Sequence, residues 1–357
     1  MSRTTTRTAV VVAATLLLAA PAGAGRPRVR DRRLDVASHT RTWVIAYRAH
    51  DGRARLAHVL LPRWYGPRAH PQIPLVISPH GRGTSGRANA KLWGDLPAIG
   101  AFAVVNPDGE GAALGAYSWG AAGQIEDLAR MPEIVHRALP WLRIDRRRIY
   151  AFGGSMGGQE TLLLLAKHPQ LLAGAAAFDS VVDLAHQYRR YNRLACNARC
   201  RARLGTSVGT VLQGLARAEV GGDPATSPRA YAARSPITYA RAIAEACIPL
   251  QLWWSRRDRI VVDPGRQSER LLREVRRVNK AAPITAIEGT WTHSAEMRPH
   301  TRLPFALALF GLMPPAFAGD WGFAGARVTA PADVPCARGR RARPVTRSTT
   351  PDRKETP

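Results

Sequence analysis

Acidic residues are scarce in this chain of 357 residues: 26 Asp and Glu stand against 52 Lys and Arg, a formal net charge of +26. Lysine is scarcer still. Lys91, Lys167, Lys280 and Lys354 are its only lysines, so arginine carries almost all the positive charge. Such a balance raises nucleic acid or an anionic surface as a partner. No basic block stands beside an RNA- or DNA-binding motif, however, and Arg, Ala, Gly and Pro are all abundant, which reads as a coding bias. No specific nucleic-acid partner is therefore expected. No cysteine precedes Cys196, which excludes a lipid-modified N-terminal cysteine. After the first residues, no apolar run reaches the roughly 20 residues of a membrane helix. Hydrophobic residues still make up 45% of the chain, enough for a sizeable core, so wholesale disorder is excluded as well.

What is present begins with a targeting pattern. Arg3 and Arg7 precede the apolar stretch Thr8–Ala20, and Ala22-Gly23-Ala24 supplies small residues for cleavage. Residues 1–24 read as a signal peptide cut after Ala24, so a secreted or periplasmic protein is expected. Export permits disulfides, and Cys196, Cys200, Cys247 and Cys336 are even in number. Three pairings exist; Cys196–Cys200 as a local clip and Cys247–Cys336 as a tie for the C-terminal segment are favoured. No His or second Cys pair stands at ligand spacing, so no metal and no cofactor are expected.

Residues 25–36 form a basic extension expected to be loose, and 337–357 a basic tail without apolar periodicity, expected to be disordered. Between them, 37–336 read as one domain. Arg41–Arg48 and Ala54–Leu61 suggest two strands joined at Asp51-Gly52. Pro74–Ser78, Ala101–Val105, Ile149–Phe152, Ala173–Phe178, Leu250–Trp254 and Pro283–Ile287 are short apolar runs suited to strands buried on both faces. Helical patterns over Ile125–Trp141 (with Pro132 a kink or restart), Gly158–Lys167 and Arg266–Asn279 alternate with them. The pattern predicts an α/β fold, a mostly parallel central sheet with helices on both faces. Residues 180–246, after the sixth strand, break the rhythm and read as an insertion or lid.

Gly153-Gly154-Ser155-Met156-Gly157 fits G-x-S-x-G between a strand pattern and a helix pattern, the context of a nucleophile elbow. Gly153 and Gly157 keep the sharp turn free of Cβ atoms, and Ser155 is the candidate nucleophile. The helix N-terminus that follows favours a developing oxyanion. His80-Gly81-Arg82 follows an earlier strand, where backbone N–H groups of Gly81 and Arg82, with that of Met156, would form an oxyanion hole. His80 itself reads as structural. Asp258 lies just past a strand and His293 past the last one, giving the order Ser155, Asp258, His293 of α/β-hydrolases. Asp179 and Asp263 are rival acids, and His300 is a rival base. Trp119, Trp254 and Trp291 are candidates either for the cleft or for plain core.

Arg234-Ser235-Pro236-Ile237-Thr238-Tyr239-Ala240, Ile248-Pro249, Asp258 and Gln267-Ser268 together resemble the catalytic domain of the prolyl oligopeptidase family, over roughly Thr40–Leu312. The resemblance implies an α/β-hydrolase fold with Ser155, Asp258 and His293 as triad. Peptidases of that family usually carry a large propeller or other domain first, for which too little chain precedes the first strand here. Trp254-Ser255 and Val262-Asp263 depart from the usual residues around the acid. Small secreted esterases are similar too. The expected activity is cleavage of carboxylic esters through an acyl-enzyme. The alternatives are a peptidase acting on short peptides and a non-enzymatic polyanion-binding protein. Oligomeric state is left open.

Overall fold

The computed structural model describes residues 28–33, 38–109 and 118–336. The expected signal peptide and basic tail lie outside the described residues. A ten-stranded sheet organises the chain. Its strands are β1 (Arg28–Arg33), β2 (Thr40–Arg48), β3 (Ala54–Pro62), β4 (Ile73–Ile77), β5 (Ala103–Pro107), β6 (Ile144–Gly154), β7 (Gly174–Phe178), β8 (Leu250–Ser255), β9 (Ile284–Gly289) and β10 (Arg327–Thr329). Their spatial order is β1-β2-β3-β5-β4-β6-β7-β8-β9-β10. From β5 through β9 neighbours run parallel. The strands β1 to β3 and β10 pair antiparallel at the two edges.

The helices are α1 (Gly86–Lys91), α2 (Leu96–Gly100), α3 (Ala122–Ala138), α4 (Met156–Lys167), α5 (Leu184–Arg190), α6 (Ala198–Leu204), α7 (Val208–Val220), α8 (Pro228–Ala233), α9 (Ala240–Ala246), α10 (Ser268–Val278) and α11 (Leu303–Ala308). Successive side chains of a strand point to opposite faces, so each central strand feeds two cores. Ile77, Val105, Ala151, Ala177 and Leu252 pack with α3, α4, α9 and α10 on one face. Val76, Val104, Phe152, Phe178 and Trp253 pack with α1, α2 and α11 on the other. Each fully buried large apolar side chain contributes about 1.5–3 kcal/mol. That double burial is why the central strands are largely apolar, with Asn106 and Gln251 among the few polar side chains they bury. The α/β-hydrolase arrangement expected from the sequence is the one observed.

Two strands depart from the sequence reading. Arg28–Arg33, expected to be loose, is edge strand β1, held by backbone pairing to β2 across a register shift between Val29 and Asp31. It has no alternating apolar residues to reveal it. β10 is three exposed residues paired to β9. Pro132 neither breaks nor restarts α3, which is continuous past it.

The 180–246 insertion, expected after the sixth strand, follows the seventh, β7, because β1 adds one ahead of it, and folds as helices α5 to α9. Its apolar residues Leu184, Tyr188, Tyr191, Ala216, Val220 and Tyr231 close around Trp119, Met156, Val181 and Val261. The insertion is therefore packed on the start of α4 and on the loop after β8. Cys196 is bonded to Cys200 ahead of and within α6, and Cys247 to Cys336.

Candidate active site

Ser155 stands between β6 and α4 with φ 58° and ψ −123°. A non-glycine residue rarely adopts such a conformation, and it is held only where surroundings enforce it. Two glycines allow that. A Cβ on Gly153 would fall on the carbonyl of Gly157, and one on Gly157 would fall on the carbonyl of Pro79. Met156 is the first residue of α4, so its N–H has no acceptor within the helix.

The loop after β4 lies against this turn. A Cβ built on Gly81 would sit 3.6 Å from the Gly154 carbonyl oxygen and 3.8 Å from Ser155 Cβ. His80 is buried and fixed at both ring nitrogens: Nδ1 pairs with the Gly81 carbonyl at 2.9 Å, and Nε2 accepts the Gly109 N–H at 2.9 Å. Burial pushes its imidazole down, so it stays neutral with Nδ1 as the donor. His80 thus shapes the loop, the structural role read from the sequence. Arg82 extends away to Glu219 of α7, with Nη1 at 2.8 and 2.9 Å from the two carboxylate oxygens, and its guanidinium stacks 4.8 Å above Trp119.

Asp258 and His293 meet. His293 Nδ1 lies 2.7 Å from Asp258 Oδ2, and Asp258 Oδ1 accepts the N–H groups of Ile260 at 2.7 Å and Val261 at 3.0 Å. Every oxygen of this buried carboxylate is engaged, which fixes its plane. Burial alone would push the His293 imidazole down. The hydrogen bond and charge of Asp258, joined by the charge of Asp179, outweigh burial and hold it above the ordinary range. The His293 loop rests on the elbow, since a Cβ on Gly154 would lie 3.0 Å from Ser294 Oγ. No hydrogen bond joins Ser155 to His293 among the described residues; such bonds commonly tighten only with substrate.

The rivals have other tasks. Asp263 pairs with His186 at 3.2 Å and with Arg190, and His300 is exposed. Asp179 is buried near Asp258 and His293 but accepts two backbone N–H groups, from Ser255 at 2.9 Å and Ser294 at 2.7 Å. Asp179, Asp258 and His293 bring donor atoms within 4.8 Å of one another. The two carboxylates already use their oxygens on N–H groups and on the imidazole, a set suited to hydrogen bonding rather than to a cation. Trp254 belongs to the core beneath the sheet, and Trp291 packs on Trp253 and under Arg302. Trp119, buried, sits at the base of the insertion, and its backbone N–H donates to Met156 Sδ. Sequence reasoning missed Glu219 and Glu296 altogether. Glu219 lies 137 positions from Arg82, and no local pattern marks either residue.

Comparisons with known proteins agree with the fold. Residues 116–198, which include the elbow, match the prolyl oligopeptidase family. A search of curated proteins gave no match. Among solved structures, a Rhizomucor miehei esterase is similar with a TM-score of 0.56 at 15% identity, over 77% of this chain and 83% of that one. A bacterial brefeldin A esterase follows with 0.53 at 19% identity, over 81% and 80%. Porphyromonas gingivalis dipeptidyl peptidase 4 gives 0.53 at 17% identity over 76% of this chain, which spans only 35% of the peptidase. The chain has the α/β-hydrolase fold, resembles the prolyl oligopeptidase family around its elbow, and has esterases and peptidases alike as its structural neighbours.

Proposed function

We propose that this chain is a serine hydrolase that cleaves carboxylic esters, with Ser155 as nucleophile, His293 as general base and Asp258 as the acid that orients it. The observation that carries the reading is the Asp258–His293 hydrogen bond on loops packed against a strained serine turn. In this reading His293 takes the Ser155 proton as Oγ attacks the ester carbonyl. Asp258 keeps Nδ1 protonated and stabilises the imidazolium. N–H groups of Gly81, Arg82 and Met156 receive the oxyanion. His293 then returns the proton to the departing alcohol, and water releases the acyl group by the same steps. No cofactor enters this chemistry. The substrate is a small ester, or a short peptide in the second reading, and the protein acts after export.

Esters are preferred on chemical grounds. An alkoxide departs more readily than an amine, which must be protonated as it leaves. The second reading, a peptidase, has the family match around the elbow in its favour. The deciding comparison is kcat/KM for a natural short-chain ester against a natural dipeptide on purified protein. Faster turnover of the ester supports the first reading, and faster turnover of the dipeptide replaces it with the second.

A further inference from the structure

Two buried acids stand behind the Asp258–His293 pair, and the reaction above leaves them without a role. Asp179 follows β7 at φ 42°, a conformation few non-glycine residues adopt. Its Oδ1 accepts the N–H of Ser255, at the end of β8, and its Oδ2 accepts the N–H of Ser294. The first N–H opens the loop that carries Asp258, and the second belongs to the residue directly after His293. One carboxylate therefore pins both loops. It also faces the imidazole, within the same 4.8 Å cluster as Asp258 and His293.

Glu296 stands against Asp179. It is 1% exposed, and no donor from another described residue reaches its carboxyl oxygens. Two adjacent buried carboxylates stay ionised together only where donors or a cation compensate them, as N–H groups and His293 do for Asp179 and Asp258 but not for Glu296. A protonated Glu296 resolves the conflict by donating its O–H to Asp179. The direction of both titrations agrees. Burial first, then the Asp179 charge, pushes Glu296 well up; burial first, then the Asp258 charge, pushes Asp179 up to about 6. The titratable groups facing Asp179 are Asp258, His293 and Glu296.

We propose that Asp179, with a proton held on Glu296, is a positioning residue that locks the Asp258 and His293 loops together and sets a second negative charge behind the imidazole. The proposal rests on the triad reading given above. The experiment compares wild type, Asp179→Asn and Glu296→Gln by fluorophosphonate labelling and by the pH dependence of kcat/KM on a short-chain ester. Asp179→Asn should lower kcat about tenfold or more with KM within about threefold, and should move the acidic limb down by about half a pH unit, because the imidazole loses a charge that favours its protonated form. A lowered kcat with an unmoved limb would show a merely structural residue and overturn the proposal, as would wild-type kinetics. Glu296→Gln, whose amide N–H replaces the acid O–H, should stay within about threefold of wild type; a far larger loss counts against a proton on Glu296. Carbon-13 NMR of glutamate-labelled wild type reads that proton without any substitution near Asp179. One carboxyl should remain protonated at neutral pH and vanish in Glu296→Gln, and a full set of ionised glutamates refutes the idea. A wild type that is neither labelled nor active defeats the triad reading and the proposal with it. A labelled, active wild type beside an unmoved Asp179→Asn limb defeats the proposal alone.

Discussion

Ser155 and His293 are the residues whose placement most constrains the chemistry. Replacing Ser155 by Ala should leave the fold intact and lower kcat by about 10⁴ or more, because triad members act as a unit; contaminant-free activity above a few per cent of wild type would contradict the role. The pH dependence follows from the raised His293 imidazole. A general base must be neutral, so kcat/KM should fall as pH drops through a midpoint above that of an ordinary histidine. Removing the Asp258 charge by Asp258→Asn should shift that midpoint down and cost about 10⁴ in kcat. A pH-rate titration of both proteins checks the sign. At this scale the sequence was partly legible. Ser155 could be read because its motif is local: strand, two glycines, helix. Asp258 and Asp179 both follow a strand, and order along the chain does not separate them. The hydrogen bond to His293 Nδ1 does, and it joins positions 35 apart.

Among the elements, the insertion and the loop after β4 are joined by Arg82 and Glu219. Both side chains are largely screened from water, 10% and 17% exposed, and the one nitrogen Nη1 reaches both carboxylate oxygens. Charge-assisted hydrogen bonds are stronger than neutral ones, the more so when screened from water. Glu219→Ala should therefore let the Gly81–Arg82 backbone drift from the position that an oxyanion requires. We expect a fall in kcat of about tenfold with a smaller change in thermal stability. An unchanged kcat, with the folded state verified by circular dichroism, would show that the insertion does not hold this loop. The apolar runs made the central strands legible, since burial on both faces leaves few polar positions. β1 and β10 were not, because edge strands are fixed by backbone pairing that composition does not record. β6 was read only from its buried half, as Asp145, Arg146, Arg147 and Arg148 precede it on the exposed part of the strand.

The whole molecule is closed by two disulfides of very different span. Cys196–Cys200 closes a loop of 4 positions, and Cys247–Cys336 one of 89, which returns the segment after β10 to the end of α9. In the chain-entropy account a loop that long removes about 4–5 kcal/mol of denatured-state freedom, and the short one far less. Replacing Cys247 and Cys336 by Ser should lower Tm by much more than replacing Cys196 and Cys200; equal effects in a melting experiment would argue against the account. Alkylation without reductant should find no free thiol in the purified protein. The net charge of +26 has no matching nucleic-acid site in this account. Any DNA binding should be sequence-independent and fall steeply with salt. The central claim concerns Ser155 itself, and mass spectrometry tests it most directly. After reaction with a fluorophosphonate, a single adduct should map to the peptide that contains Ser155. It should be absent from Ser155→Ala and form slowly in His293→Ala. An adduct on another residue, or one that persists in Ser155→Ala, would contradict the assignment of the nucleophile and the mechanism built on it.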